Sequence, residues 1–366
     1  MTKKYELDGC KLAYHQNRVK AWLRGERVAP ILIDMALTKA CTYKCDYCYA
    51  HKFQDNKGYP INYTVIDNFI DDCACMGVKA ISLVSDGEST CNFALQYFVE
   101  RATDMGLDVA LGTNGCLLDN FDIRCLVDRL TYLRFNISAA DPERYCEIHG
   151  VGMDSYVRTL ANMQEAVRQA KSLDDPATIG LQMVVRDKYA DQIVPLAKFG
   201  KKMGVDYLVL KHCSDDENDG LGVKYDDYDK LKGLLIEAES YSTDDYFVKA
   251  KWNKIGKVRD YKECLAGPLM LQISGSGKVT ICGMLFGDKY KKYEIGNICK
   301  TRFYDLWQSD RYWDVMNEVK SEEFDCRRDC GSNCLQEMAN RYLHKVKTSG
   351  VVPRVPDEPI QHVNFI

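Results

Sequence analysis

Three cysteines stand close together in Cys41-Thr42-Tyr43-Lys44-Cys45-Asp46-Tyr47-Cys48. Their thiolates can converge on one metal centre and still leave a coordination position to something that is not protein. Zinc would take a fourth protein ligand, and His51 is near enough in sequence to supply it. A four-iron cluster would be held through three of its irons, with the fourth iron open. Unligated structural thiols are the remaining reading, against which the tight spacing argues. A second set follows at Cys264, Cys282, Cys326, Cys330 and Cys334. Two of these flank a glycine-containing hairpin, Gly275-Ser276-Gly277, and a close trio comes later, enough for four ligands to one centre. A structural zinc is the alternative there too.

The elements that must position these thiols are legible in the hydrophobic pattern. Ile31 to Thr38 is an apolar strand, so the first cysteine loop leaves a strand end. Further strands are expected at 79–84, 107–111, 132–137, 179–185 and 206–210, with helical spacing at 65–76, 93–105, 157–170 and 190–203. Alternating units of this kind build a parallel sheet. Six of them make a partial (β/α)6 TIM-like barrel or an open wound sheet, and either places ligands at the C-terminal strand ends.

Polar residues gather at those ends. Ser85-Asp86-Gly87-Glu88-Ser89-Thr90 follows strand two, where a glycine beside an acid lets backbone approach a ligand. Gly112-Thr113-Asn114-Gly115 follows strand three and reads equally as a tight turn. Strand four ends in Asn136-Ile137-Ser138, strand five carries Gln182, and strand six ends in Lys211-His212-Cys213. Cys116 and Cys213 both fall just after strands at this face. A lone His149, in Asp141-Pro142-Glu143-Arg144-Tyr145-Cys146-Glu147-Ile148-His149-Gly150, reads as structural.

The first loop, with Tyr47 as its aromatic, resembles the C-x-x-x-C-x-aromatic-C signature of the radical SAM superfamily. The resemblance implies an iron–sulfur cluster on Cys41, Cys45 and Cys48, and S-adenosylmethionine on the open iron. Gly87 and Glu88 resemble the family's G-G-E-P segment that binds the cofactor amine, with Asp86 and Ser89 departing from it. Asn114 matches a recurrent T-N-G. Ser138, with Asn136 second, stands where the family reaches the ribose and carboxylate, and Gln182 is a further candidate contact. The later cysteines resemble a Twitch/SPASM-like domain. They imply one auxiliary four-iron cluster on Cys264, Cys282, Cys326 and Cys330, with Cys334 able to replace Cys330.

The expected layout is a lead-in at 1–30, the partial barrel at 31–212, a bridge at 213–262, a small α+β auxiliary-cluster domain at 263–345 and an extended surface tail at 346–366. With 366 residues, a net charge of -4 and a pI near 5.9, the composition gives no sign of a nucleic-acid face. No apolar run reaches a membrane-spanning length, and nothing at the start reads as a secretory signal. Seventeen cysteines without an export signal fit a reducing cytoplasm; Cys10, Cys73, Cys75, Cys91, Cys125 and Cys146 are expected to pack as small apolar residues.

The expected activity is reductive cleavage of S-adenosylmethionine to a 5′-deoxyadenosyl radical. That radical would abstract hydrogen from a small sugar-, nucleotide- or amino-acid-like substrate. The auxiliary cluster would accept the electron, Lys211 or His212 the proton, and flavodoxin or ferredoxin would be the donor. The alternatives are an epimerase with Cys116 or Cys213 as hydrogen donor, a peptide-modifying maturase, and a zinc-bearing scaffold without catalysis.

Overall fold

The computed structural model describes residues 5–7, 10–53, 61–218, 220–254, 259–331 and 334–366. The first four residues of the lead-in and Ser332-Asn333 lie outside them. Ten strands form one sheet: β1 (Leu32–Met35), β2 (Ala80–Leu83), β3 (Asp108–Thr113), β4 (Tyr132–Asn136), β5 (Thr178–Val185), β6 (Tyr207–His212), β7 (Phe247–Ala250), β8 (Met270–Ile273), β9 (Lys278–Thr280) and β10 (Gly296–Asn297). Their order is β10-β9-β8-β1-β2-β3-β4-β5-β6-β7. From β8 to β7 every neighbour pairs in parallel, so the C-terminal ends of eight strands face one side.

The six strands expected from the sequence are present, each within a few residues of its expected bounds, and the sheet is wider at both edges. Residues 213–262 form more than a bridge. Helix Tyr228–Glu239 packs on helix Ala190–Met203, and β7 extends the sheet beyond β6. The hairpin within the second cysteine set is not a separate layer either. Its first strand, β8, pairs with β1 in the register Asp34↔Gln272, and β9 turns back antiparallel.

Local chemistry explains the helix boundaries around the site. Asn62 caps helix Tyr63–Met76 by accepting from the Val65 N–H, and Gly77 ends it at φ 80°. Asp141 caps helix Pro142–His149, with proline in the first turn, where its missing N–H costs nothing. That helix ends at Gly150, and the cysteine loop docks against its end: Lys44 N–H donates to the His149 carbonyl and Asp46 N–H to that of Ile148. A Cβ on Gly150 would stand 2.7 Å from the Lys44 oxygen, so only glycine permits the approach.

The core is continuous from the barrel strands into the auxiliary region, through Leu271, Ile273, Val279 and Ile281. A second cluster joins the N-terminal helix Gln16–Leu23, β1, β8 and the last helix, Glu337–Ser349. The tail does not simply lie extended over the surface. It runs along the N-terminal helix, and then His362 and Phe365 pack on Tyr132 at the N-terminal end of the sheet. His362 Nε2 lies 2.9 Å from Thr178 Oγ1, and Asn364 donates to Asp108. Of the scattered cysteines only Cys73 is buried; Cys75 is exposed and the others are half-buried. No helix among the described residues is long and apolar enough to cross a membrane.

Candidate active site

A cavity of about 490 Å³ opens at the C-terminal strand ends, lined by Cys41, Cys45 and Cys48 together with Tyr47, Gly87, Glu88, Asn114, Asn136, Gln182, Lys211, His212 and Cys213. A larger groove, of about 1050 Å³, lies at the opposite end of the strands near Thr178, Asp206 and His362 and holds no cysteine. The chemistry therefore belongs to the smaller cavity.

The chain entering the cysteine loop is gripped by glycines. A Cβ on Gly87 would meet the Thr38 carbonyl oxygen at 1.9 Å, and one on Gly275 would meet the Thr38 carbonyl carbon at 2.1 Å. Asp86, the departure from the family motif, ties these two segments together. Its carboxylate accepts from Ser274 Oγ at 2.5 Å and from the Gly275 N–H at 2.8 Å, and Lys39 Nζ lies 4.0 Å away. Glu88 is buried and accepts four hydrogen bonds, from Thr90 N–H and hydroxyl, Thr113 hydroxyl and Asn114 N–H, at 2.7–3.1 Å. Three of those donors fall on Oε1 and one on Oε2, so Glu88 joins the loops after β2 and β3 while Oε2 keeps a lone pair. Asn114 turns its amide toward Thr42 Oγ1, at 3.3 Å, beside Cys41.

The three loop thiols suit a cationic group. Cys41 is exposed as a residue, yet the packing around its thiol pushes it up to about 12, with the Glu88 charge adding to it. Cys45 is raised by burial and then by Cys48 and Cys41, and Cys48 by burial and then Asp86. Thiolates so placed form only around a multivalent cation, which reverses these shifts. Tyr47 is half-buried, in edge contact with His149 and Tyr189. His51 is exposed. Among the described residues no three Cys, His, Asp or Glu close on a single ion.

Two expected residues sit elsewhere. Cys116 does not line the cavity: Gly115, at φ 80°, turns the chain away and the thiol is buried in the core. Ser138 is fully buried too. Its hydroxyl accepts from the Val184 N–H, and its own N–H donates to His149 Nε2 at 3.0 Å. Asn136 and Gln182, joined at 3.1 Å, face the cavity from the same strands. Conversely, His149 reaches Cys45, with Nδ1 at 3.1 Å from Sγ. Sequence reasoning missed this because the contact depends on how the helix ends against the loop. The signal present was the Ile148-His149-Gly150 helix stop.

The later cysteines converge as a set. Cys264 is raised by burial and then by Cys334, Cys330 and Cys326. Cys282 is raised by burial and then by Cys334, Cys330 and Cys264. Burial raises Cys326 to about 12 and Cys330 to about 11. Arg259 donates to Cys330 Sγ at 3.0 Å, and Asn340 Nδ2 lies 3.6 Å from Cys334 Sγ. Cys334 and Leu335 also line the main cavity, so this set borders it. Cys299, by contrast, is exposed.

The radical SAM superfamily model matches residues 35–208, and the SPASM iron–sulfur cluster-binding domain matches residues 264–334. The chain is a radical SAM protein with a SPASM domain. Such a protein binds S-adenosylmethionine at a four-iron cluster and carries auxiliary iron–sulfur. It is 26% identical over 328 residues to the AdoMet-dependent heme synthase of Methanosarcina barkeri, spanning 83% of this chain and 88% of the relative. It is 22% identical over 301 residues to the tungsten-containing aldehyde ferredoxin oxidoreductase cofactor-modifying protein of Pyrococcus furiosus, spanning 76% of this chain and 81% of that one. The fold is that of Streptococcus suis SuiB bound to S-adenosylmethionine, with TM-score 0.63 and 16% identity, covering 97% of this chain and 82% of that one.

Proposed function

We propose that this radical SAM protein oxidises a small substrate held in the 490 Å³ cavity, with Cys41, Cys45 and Cys48 holding the first cluster and Cys264, Cys282, Cys326 and Cys330 the auxiliary one. Cys334 replaces Cys330 if the fourth ligand comes from the cavity side. When bound, the reduced first cluster and S-adenosylmethionine supply a 5′-deoxyadenosyl radical for hydrogen abstraction, and the auxiliary cluster supplies an electron acceptor.

The chain's own residues bind, orient and move protons. The backbone of residues 86–88 cradles the cofactor amine, while Asn136 and Gln182 offer amides to its polar groups from the walls. Tyr47 lines the chamber and packs edge-on against Tyr189. Lys211, lowered to about 8 by burial and then by the charges of Arg134 and Lys254, is mainly ammonium near neutrality and takes up a proton only from its neutral fraction. His212, held well below its ordinary value by burial, is neutral and is a second acceptor.

The observation that carries this reading is the single cavity bordered by both thiol sets. Anaerobic reconstitution tests it: about eight irons per chain and release of 5′-deoxyadenosine on reduction are expected. A colourless protein that leaves S-adenosylmethionine intact would end it.

One observation favours epimerisation as a second reading. Cys213 lines the cavity, and burial raises its thiol to about 12, so the S–H donor persists at neutral pH. Solvent deuterium entering product, and lost in Cys213→Ala, would replace oxidation with epimerisation.

A further inference from the structure

The inner part of the same cavity holds more positive than negative charge around Arg134 and Lys211. Arg134 lies mid-strand on β4, on the face shared with Tyr132 and Asn136, and lines the cavity. Its Nε is buried with no hydrogen-bond partner, and its guanidinium makes no ion pair among the described residues. Gly112 on β3 lies alongside: a Cβ there would meet Val84 Cγ2 at 2.5 Å and stand 3.3 Å from Arg134 Nη2. Lys211 enters from β6, likewise without an ion pair among the described residues. Lys251 and Lys254 line the same space.

The acids nearby are already engaged. Asp34 on β1 accepts from Gln272 at 3.1 Å and faces both Arg134 and Lys211, which leaves two cations against one carboxylate. Asp86 and Glu88 are bonded to Ser274, Gly275, Thr90, Thr113 and Asn114. Enclosing like charges costs several kcal/mol per ion unless a counter-charge enters with matched hydrogen bonds. A guanidinium fork beside a lysine point charge is the donor set that fits a carboxylate or phosphate.

We propose that the substrate carries an oxyanion, a carboxylate or a phosphate, seated by Arg134 and Lys211 beneath the cofactor. The inference rests on the reading of this cavity as the reaction chamber. The anion is distinct from the carboxylate of S-adenosylmethionine. Arg134 stands two residues before Asn136 on the strand, about 7 Å deeper than the rim.

Calorimetric titration of the reconstituted holoenzyme, saturated with S-adenosylmethionine, tests this with pyrophosphate and with propane-1,2,3-tricarboxylate. One probe is expected to bind at one equivalent and to leave the cofactor bound. Preference for pyrophosphate assigns a phosphate, and preference for the tricarboxylate a carboxylate. Arg134→Gln is expected to weaken that probe at least tenfold and Arg134→Lys less. Visible cluster absorbance reports that each variant is folded. Should Arg134→Gln fail to load iron, Lys211→Met carries the same comparison. Binding of neither probe, equal binding by the variants, or displacement of S-adenosylmethionine overturns the proposal. Release of 5′-deoxyadenosine by wild type without any anion keeps the two readings apart: its absence refutes the reaction chamber, and its presence without anion binding refutes only the anion.

Discussion

A neutral imidazole that accepts a hydrogen bond on one nitrogen must carry its proton on the other. His149 Nε2 accepts from the Ser138 N–H, and burial holds the ring near a pKa of 3, so it is neutral and Nδ1–H points at Cys45 Sγ. Hydrogen bonds to cluster sulfurs raise the reduction potential. In His149→Phe the first cluster is therefore expected to become harder to reduce. His149→Gln, which keeps a donor, should recover part of the difference. Redox titration followed by electron paramagnetic resonance measures it, and equal midpoints in all three proteins would refute the hydrogen bond's influence. Lys211 gives a pH dependence at the same scale. Facing it are Arg134, Lys254, Cys213 and Asp34. Its folded value, about 8, lies below the ordinary 10.5, so between these values the unfolded chain binds the extra proton and stability rises with pH. Anion binding runs the other way: a bound anion favours the ammonium, so affinity is expected to fall as pH rises through 8. A titration series from pH 7 to 9 reads it, and a flat profile would exclude Lys211 from the site.

At the scale of elements, the segment Thr38–Lys39 is pressed between Gly87 after β2 and Gly275 in the β8–β9 turn. Gly275→Ala would drive a Cβ into backbone atoms at 2.1–2.5 Å. Relief requires moving the strand that feeds Cys41. A loss of about 1–3 kcal/mol is expected, read by anaerobic urea unfolding, together with less iron on the first loop. Unchanged stability and iron would show that the turn yields freely. How much could be read in advance follows from the same elements. The cysteine spacings and six strands were legible because spacing and apolar runs are local. Asp86 was legible only as a departure from a motif, because its partners, Ser274 and Gly275, lie nearly two hundred residues on. Ser138 and Cys116 do fall just past strand ends, but neither lines the cavity. A strand's period of two does not say where the strand stops and the turn begins. Among the described residues no helical unit lies between the short strands β7 and β8 to announce that they flank β6 and β1 in one sheet.

At the scale of the molecule, the two thiol sets share one sheet. The register Leu32↔Met270 to Met35↔Ile273 joins β8 to the strand that feeds the first loop. Asp86 reinforces the seam, and Tyr49, just past Cys48, donates to the Met284 carbonyl two residues after Cys282. Domains with separate cores unfold separately, whereas a sheet and core continuous across both sets should melt as one unit. The variant Cys264→Ala with Cys282→Ala separates structure from chemistry. It is expected to keep about four irons on the first loop and to release 5′-deoxyadenosine more slowly than wild type. Its thermal transition should stay single and fall in midpoint. The loosened hairpin would still pair with β1, but it would no longer be pinned by a cluster at its far side. Two resolved transitions in anaerobic calorimetry, with the first at the wild-type midpoint, would show that the shared strands do not couple the halves. Loss of all iron would show instead that the first loop cannot hold its cluster without the second.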